Sequence, residues 1–480
     1  MKALLVDGHG EIAAAGTAPL MVATPAPGWT EQDPEDWWEA SCAAIRDVLA
    51  RQPRAQVDAI GISGQMHSSV FLDSRGAVIR PALLWSDGRT SAECREIVMR
   101  AGGEDRLREW VSNAALEGFT LPKVLWLRNH EPDAFARLAK VLLAKDFVRL
   151  RLTGAVATEP SDASGTLMFD PVHLRWSRDM LDAVGLPSSL LPDVGGSAEV
   201  LGRVTPAAAK LTGLAAGTPV VGGGADNACG AAGVGVTPGE AVSSWGTSGT
   251  VLAPTAEPRV DPKLRAHTFC HVAPGVWYVM GVVLSAGGAF AWYRDQCARE
   301  LAEEERDAVL VDEAAGIAPG AEGVTFLPYL QGERTPHRDA SLRAAFVGLS
   351  LAHSRAHMTR AVLEGVCFAL RDSLEILREL DLAPTYLLLT GGGAKSSFIR
   401  QLQADVFGLP VTTVNREEGG AYGAAPLAAV GVGAFADLTT AAQRTLTRGA
   451  VIQPNSQTHQ LYEQFYKSFQ YTAYRSSKTV

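Results

Sequence analysis

The chain has 480 residues, of which 47% are hydrophobic and 20% are charged, as is typical of a soluble globular protein with two large or about three smaller domains. Its net charge is −9 and its lysine and arginine residues form no cluster, which argues against nucleic acid or an anionic membrane as the main partner. The six cysteines are scattered without a Cys-x-x-Cys pair, and neither a signal peptide nor a membrane-spanning apolar run is recognised, so we expect reduced thiols and a cytoplasmic location.

The first elements predicted are a β-hairpin over residues 1–20 and a helix from Pro34 to about Arg51. Asp33 precedes that helix as its N-cap, and proline is favoured at the first helical position because its missing N–H is not needed there. An apolar run over residues 57–62 then predicts a buried strand.

The loop that follows this strand, residues 63–68, contains two candidate ligand contacts, Met66 and His67. A loop after a buried strand is a binding position in open α/β sheets. The same residues are also compatible with a methionine that fills the core and a core histidine whose hydrogen bonds are satisfied.

Alternating helices and strands over the rest of the first half predict a largely parallel sheet with crossover helices. The last strand, residues 218–221, runs into the glycine turn 222–224 and then into Asp226 and Asn227. Phosphoryl transfer to a hydroxyl requires this arrangement, because an aspartate takes the alcohol proton and a glycine backbone can approach a phosphate closely. The alternative is an N-cap pair at the start of a helix, which is a common use of both residue types.

A second cycle of strands follows, over residues 241–244, 249–253 and 276–283. The first two of these strands are joined by the turn Gly246-Thr247-Ser248-Gly249. The turn is either a plain hairpin connection or a loop that places N–H groups and hydroxyls against a phosphate.

A long helix over residues 352–380 precedes a strand that leads into Gly391, Gly392 and Gly393. Three glycines let the backbone approach a ligand and direct the next helix N-terminus at it, although a plain helix-entry turn is the alternative. Because the two halves repeat one plan of strand hairpin, strand, loop and helix, we expect two related α/β domains, residues 1–235 and 236–480, with a cleft between them.

Several motifs occur in order over nearly the whole chain, and together they resemble those of the FGGY family of carbohydrate kinases. They lie at residues 64–67 (Gly-Gln-Met-His), 83–89 (Leu-Leu-Trp-Ser-Asp-Gly-Arg), 118–130, 326–337 and 344–364. The resemblance implies two actin-like, ribonuclease-H-like domains that close on a sugar and on ATP. It also implies Mg²⁺ as cofactor and phosphorylation of D-xylulose at its terminal hydroxyl, giving D-xylulose 5-phosphate. A homodimer follows by analogy with the family alone.

The resemblance further assigns roles to individual residues. Asp226 is expected to be the catalytic base and to contact the sugar, together with Met66, His67 and Asn227. The second phosphate loop and the loop that flanks the adenosine are expected at Gly246, Thr247 and Ser248 and at Gly391, Gly392, Gly393 and Ala394. No metal ligand is assigned.

The N-terminus departs from the family pattern. Family members open with a strand ending in Asp-x-Gly-Thr-Ser, which forms a first phosphate loop, and Met1-Lys2 corresponds to the last step of that motif. About a dozen residues, one strand plus its turn, are therefore expected to be missing. Two alternatives follow: a kinase for another pentulose, a hexulose or glycerol, and a non-catalytic sugar-binding protein that lacks the first phosphate loop.

Overall fold

The computed structural model describes residues 1–416 and 418–476. The strands of the first half are β1 (Lys2–Val6), β2 (Ile12–Thr17), β3 (Glu31–Gln32), β4 (Ser63–Gly64), β5 (Val70–Leu72), β6 (Ala82–Leu83), β7 (Lys140–Leu142), β8 (Ala157–Thr158), β9 (Phe169–Asp170), β10 (Arg175–Trp176), β11 (Asp193–Val194), β12 (Val200–Arg203), β13 (Pro219–Val221) and β14 (Gly224–Ala225). The helices of the first half are α1 (Pro34–Arg51), α2 (Ser91–Ala101), α3 (Glu104–Val111), α4 (Thr120–His130), α5 (Pro132–Ala136), α6 (Ala144–Thr153), α7 (Pro160–Ala163), α8 (Arg178–Val184), α9 (Pro206–Thr212) and α10 (Asp226–Val234).

The strands of the second half are β15 (Ala241–Trp245), β16 (Gly249–Thr255), β17 (His267–Cys270), β18 (Trp277–Val283), β19 (Thr325–Leu327), β20 (Ala345–Val347), β21 (Leu387–Gly391) and β22 (Val411–Thr412). Its helices are α11 (Gly287–Cys297), α12 (Arg306–Ala315), α13 (Arg355–Glu379), α14 (Ser397–Phe407), α15 (Gly419–Gly431), α16 (Leu438–Thr445) and α17 (Ser456–Ser476). Short 3-10 helices lie at Ser164–Thr166, Ser188–Leu190, Ala321–Gly323 and Gly392–Lys395.

One six-stranded sheet organises the second half, in the order β17-β18-β16-β15-β21-β22. Strands β15 and β21 are parallel, and their last residues, Trp245 and Gly391, are register partners. Because carboxyl ends of parallel neighbours meet at one sheet edge, the turns after these two strands lie side by side. The long helix α13 packs on this sheet, and it forms within the predicted range of residues 352–380.

The strands of the first half pair two at a time. Strand β4 runs parallel to β14, so the loop after β4 begins beside Asp226. The strand predicted over residues 57–62 is wrong in extent, since only Ile60 forms a bridge, to Val220. The glycine turn interrupts this ladder, because the amides of Gly222 and Gly223 donate to the separate loop that carries Ser197 and Glu199.

Helices α10 and α15 join the two halves by direct backbone contact. A Cβ built on Gly423 would lie 1.7 Å from the carbonyl oxygen of Cys229, and one built on Gly233 would lie 3.0 Å from the amide nitrogen of Gly423. No side chain larger than hydrogen fits at this crossing. Since Asp226 is the first residue of α10, this contact fixes the helix that carries it.

The apolar core around α10 is shared by both halves: Cys229 packs in one cluster with Val242, Leu252 and Tyr278. All six cysteines are free, as expected, and five are buried, whereas Cys297 is exposed. Within residues 1–416 and 418–476, no helix is both long enough and apolar enough to cross a membrane.

Candidate active site

A cleft of about 490 Å³ opens between α10 and the carboxyl ends of β15 and β21. Asp226 and Asn227 line this cleft, and so do Gly391 and Ala394. The structure therefore brings four of the predicted site residues to one cavity, although 165 positions separate the first from Gly391 in the chain.

The carboxylate of Asp226 is partly exposed to this cleft. Its Oδ1 accepts hydrogen bonds from the backbone N–H of Asn227 at 2.8 Å and from the Asn227 side-chain amide at 3.0 Å. The N-cap of α10 is Ala225, so Asp226 is not used as a cap, which was the alternative explanation of the sequence. Desolvation by the surrounding protein raises the pKa of Asp226 to about 6. The two hydrogen bonds from Asn227 lower the pKa and offset part of this effect.

The glycines after β21 pack against the neighbouring strand. Gly391 has φ +80°, and a Cβ there would lie 2.4 Å from the carbonyl oxygen of Trp245. A Cβ on Gly393 would lie 2.8 Å from the Trp245 indole ring. Gly391 lines the cleft, whereas Gly392 and Gly393 lie next to it and form the start of a 3-10 helix. The absence of side chains lets this backbone follow the edge of the sheet closely.

The turn over Gly246, Thr247 and Ser248 lies at the same sheet edge, outside the lining of the cleft. Helix α11 holds it: the amides of Gly287 and Gly288 donate to the carbonyls of Gly246 and Thr247 at 2.8 and 2.9 Å. The first amides of α11 thus bind protein carbonyls, which fixes the turn beside the cleft.

Met66 and His67 follow β4, but their side chains are buried. The hydroxyl of Tyr278 donates to Met66 Sδ at 3.8 Å, and His67 Nδ1 donates to the carbonyl of Gly165 at 2.5 Å. Burial lowers the pKa of His67 to about 3, so its imidazole is neutral. The ring of Phe119 packs on it at 4.5 Å between centroids. Neither side chain lines the cavity, and their sugar-binding role stays a prediction.

Three basic residues on the cleft wall were missed by the sequence reasoning: Lys395, Arg400 and Arg416. Cations around a cleft favour an anionic ligand. Lys395 directly follows Ala394, so its position next to the glycine turn could have identified it. Arg400 and Arg416 carry no comparable local signal, because only the fold brings them to this wall.

The sequence pattern of the N-terminal domain of the FGGY family of carbohydrate kinases matches residues 1–233, and that of the C-terminal domain matches residues 241–432. The chain belongs to the FGGY family of carbohydrate kinases. The family predicted from the ordered motifs is therefore confirmed, and so is the prediction of an enzyme.

Relatives of this FGGY kinase are similar over nearly their full length. The xylulose kinase of Bacillus subtilis (strain 168) is 38% identical over 466 residues, which cover 96% of this chain and 92% of the relative. The xylulose kinase of Escherichia coli (strain K12) is 40% identical, over 90% of this chain and 87% of the relative. The crystal structure of a xyloylose kinase from Brucella ovis matches with a TM-score of 0.91 at 35% identity, over 98% of this chain and 96% of that one. The predicted α/β class, with two actin-like, ribonuclease-H-like domains about a cleft, is confirmed by these matches.

Proposed function

We propose that this FGGY kinase transfers the terminal phosphoryl group of ATP to the terminal hydroxyl of D-xylulose. The observation that carries the proposal is that Asp226 lines the same cleft as Gly391. The choice of D-xylulose follows from the relatives in Bacillus subtilis and Escherichia coli, both of which are xylulose kinases similar over most of the chain.

In the proposed reaction, the Asp226 carboxylate accepts the proton of the sugar hydroxyl and aims its oxygen at the terminal phosphorus. Both Asn227 hydrogen bonds go to Oδ1, so Oδ2 is the oxygen available to the sugar. With a pKa of about 6, roughly nine-tenths of the carboxyl groups are ionised at pH 7. The proton moves late in a loose transition state, so orientation of the hydroxyl is the larger contribution.

On the nucleotide side, we propose that Gly391, Gly392, Gly393 and Ala394 flank the adenosine. Gly246, Thr247 and Ser248 then meet the phosphates at the same edge of the sheet. The cations Lys395, Arg400 and Arg416 on the cleft wall support this assignment, because ATP carries several negative charges.

Mg²⁺ is the expected cofactor of the reaction. Among the described residues, no group of three or more His, Cys, Asp or Glu side chains could hold a metal ion. An ion carried by nucleotide phosphates, which is the common mode for Mg²⁺, would need few protein ligands, and Asp226 is the carboxylate among the residues that line the cleft. When bound, the ion neutralises phosphate charge.

We also propose a domain boundary between residues 235 and 236. Strands before it pair two at a time, and the six-stranded sheet begins with β15 directly after it. Residues 477–480 of the second domain lie outside the described residues. The homodimer and the cytoplasmic location stay predictions.

The test is the variant Asp226→Asn, which keeps the shape of the side chain and removes the base. We expect kcat on D-xylulose to fall by about 10²–10⁴-fold with the fold intact. The control is Asp437→Asn, because Asp437 caps α16 on the surface and asparagine caps a helix equally well. Near-normal turnover of Asp226→Asn would reject the assignment.

Two further measurements separate the alternatives. A panel of D-xylulose, another pentulose, a hexulose and glycerol identifies the substrate by the highest kcat/KM. Calorimetry with D-xylulose, with and without ATP, tests the non-catalytic alternative, which requires sugar binding without nucleotide binding.

A further inference from the structure

A buried cluster of charged side chains lies directly behind the glycine turn that leads to Asp226. Lys145 and Arg149 supply two cations, and Asp146, Glu159 and Asp162 supply three carboxyl groups, all with at most 2% of the residue exposed. Burial raises the pKa of Asp162 well above its usual value, although the ammonium of Lys145, 3.4 Å from its Oδ2, acts in the opposite direction. Buried charges are costly unless they are paired and hydrogen-bonded, so their retention here calls for an explanation.

Glu159 is the centre of the hydrogen bonds in this cluster. Its Oε1 accepts from the hydroxyl of Ser161 at 2.8 Å and from the backbone N–H of Asp162 at 2.9 Å. Its Oε2 accepts from the hydroxyl of Ser197 at 2.7 Å and from the backbone N–H of Ser161 at 2.9 Å. The ammonium of Lys145 lies 3.4 Å from Oε1. Each of these hydrogen-bonding and ion-pair partners of the carboxylate is a donor.

The two serines hold the turn from both sides. The hydroxyl of Ser161 accepts a hydrogen bond from the backbone N–H of Ala225 at 3.0 Å. The backbone carbonyl of Ser197 accepts from the N–H of Gly223 at 2.9 Å. Glu159 is thus hydrogen-bonded to both serines, and these serines accept the backbone N–H groups of Gly223 and Ala225, the residues on either side of Gly224.

A structural role alone accounts for only part of this arrangement. Glu159 is the N-cap of α7, which is a single helical turn of four residues. Capping explains the hydrogen bonds from the amides of Ser161 and Asp162. It does not explain why the same carboxylate also holds Ser197, which lies 38 residues away on the loop that binds Gly223.

We propose that Glu159 is a positioning residue for the phosphoryl transfer: through Ser161 and Ser197 it fixes the turn from Gly223 to Ala225 and so holds Asp226 in its place on the cleft wall. This inference rests on the proposed role of Asp226 as the base. Arg149 assists, because its Nη1 donates to the carbonyl of Gly222 at 2.9 Å.

The informative variant is Glu159→Gln, which keeps the size of the side chain but turns one acceptor oxygen into an NH₂ donor. Each oxygen of Glu159 accepts from a backbone N–H, so the new NH₂ group faces a donor that cannot reverse, whichever oxygen it replaces, and the hydrogen bonds that order the two serines are disturbed. A displacement of about 1 Å at a reacting group can lower the rate by about 10²-fold. We therefore expect kcat to fall by about 10- to 100-fold, with KM for the sugar and for ATP changed by less than about twofold.

The matched control is Thr212→Val. Thr212 is also fully buried, and its hydroxyl also accepts a backbone N–H, from Leu214 at 3.2 Å, but it lies at the end of α9 away from the cleft. Its loss should lower the melting temperature and leave kcat unchanged. A purely structural Glu159 would behave in the same way.

Two more measurements complete the test. Hydrogen exchange of the peptide over residues 219–228, followed by mass spectrometry, should be faster in Glu159→Gln than in wild type and unchanged in Thr212→Val. Ser197→Ala, which removes only a hydroxyl, should lower kcat by several-fold, and in the Glu159→Gln background it should add less than it does alone. It also serves as the test if Glu159→Gln does not fold.

Unchanged kcat with a lowered melting temperature, or unchanged exchange at 219–228, overturns the proposal. Failure of the proposed function is recognised separately, as a wild-type protein without kinase activity or an Asp226→Asn variant that is as active as wild type. The exchange measurement reports on the turn in either case.

Discussion

The helix crossing between the two halves makes a specific prediction about the variant Gly423→Ala. The added methyl carbon would lie 1.7 Å from the carbonyl oxygen of Cys229. An ordinary carbon–oxygen contact is about 3.3 Å, so α15 and α10 must separate by roughly 1.6 Å. Both atoms at the contact belong to backbone or to a Cβ, so no side-chain rotation relieves it. Since Asp226 lies one helical turn before Cys229, the shift reaches the base.

We expect Gly423→Ala to lose about 1–3 kcal/mol of unfolding free energy through overpacking, even though alanine favours a helix by about 1 kcal/mol over glycine. The shift at Asp226 should lower kcat by about 10²-fold. Steady-state kinetics and urea unfolding measure the two effects. Gly316→Ala is the control, because Gly316 has φ −75° and the nearest atom to a Cβ there is 3.5 Å away. Wild-type kcat in Gly423→Ala would refute the reasoning that this crossing sets the position of the base.

The other predictions concern pH, the nucleotide turn and a buried ion pair. Asp226 must be ionised to act, so kcat/KM should fall tenfold per unit as the pH drops below about 6, which a pH–rate profile would show. Its raised pKa costs stability above pH 6, and this cost disappears below about pH 4, so Asp226→Asn should be more stable than wild type at pH 8, by on the order of 2 kcal/mol, and not at pH 4. Gly391→Ala should raise KM for ATP at least about tenfold and leave KM for the sugar unchanged in initial-rate assays, because a Cβ there meets a backbone carbonyl at 2.4 Å. Arg89→Met should cost about 3–5 kcal/mol in urea unfolding, because the Arg89 side chain is 1% exposed and its loss leaves the buried Asp87 without its partner at 2.7 Å. Arg106→Met on the surface should cost less than about 1 kcal/mol.

Local signals made some elements predictable from the sequence. Helix α1 begins at Pro34 and ends at Arg51 as predicted, because the cap, the proline and the apolar spacing all lie within the segment. The side chain of Asp33 accepts from the N–H of Glu35, as an N-cap does. The glycine turn after β21 was likewise predictable, since glycines after an apolar strand have few other uses.

Properties that depend on distant parts of the chain were not predictable. The raised pKa of Asp226 has no local signal in the sequence, because it comes from desolvation by parts of the protein that only the fold brings around the carboxylate. The sugar-binding role of Met66 and His67 stays a prediction, but their packing against Tyr278 and Phe119 could not be read from the sequence. No periodicity or spacing indicates that such partners will meet.

The predicted extent of the strand over residues 57–62 was wrong for a related reason. Its residues are apolar enough for a central strand, but its partner segment contains the turn at Gly222 and Gly223, whose amides bind elsewhere. A strand needs a continuous partner, and the sequence of one strand does not report a break in the other.

Helix α11, whose first amides bind the carbonyls of the Gly246 turn, ends at the exposed residue Cys297, about 16 Å from the first residue of the helix. The other five cysteines are buried, so a maleimide dye would couple at a single place on the native protein without any engineering. A fluorophore attached there would lie at the end of α11, whose first residues are hydrogen-bonded to the Gly246 turn. If the Gly246 turn meets the phosphates as proposed, the emission of this fluorophore would report nucleotide binding independently of turnover.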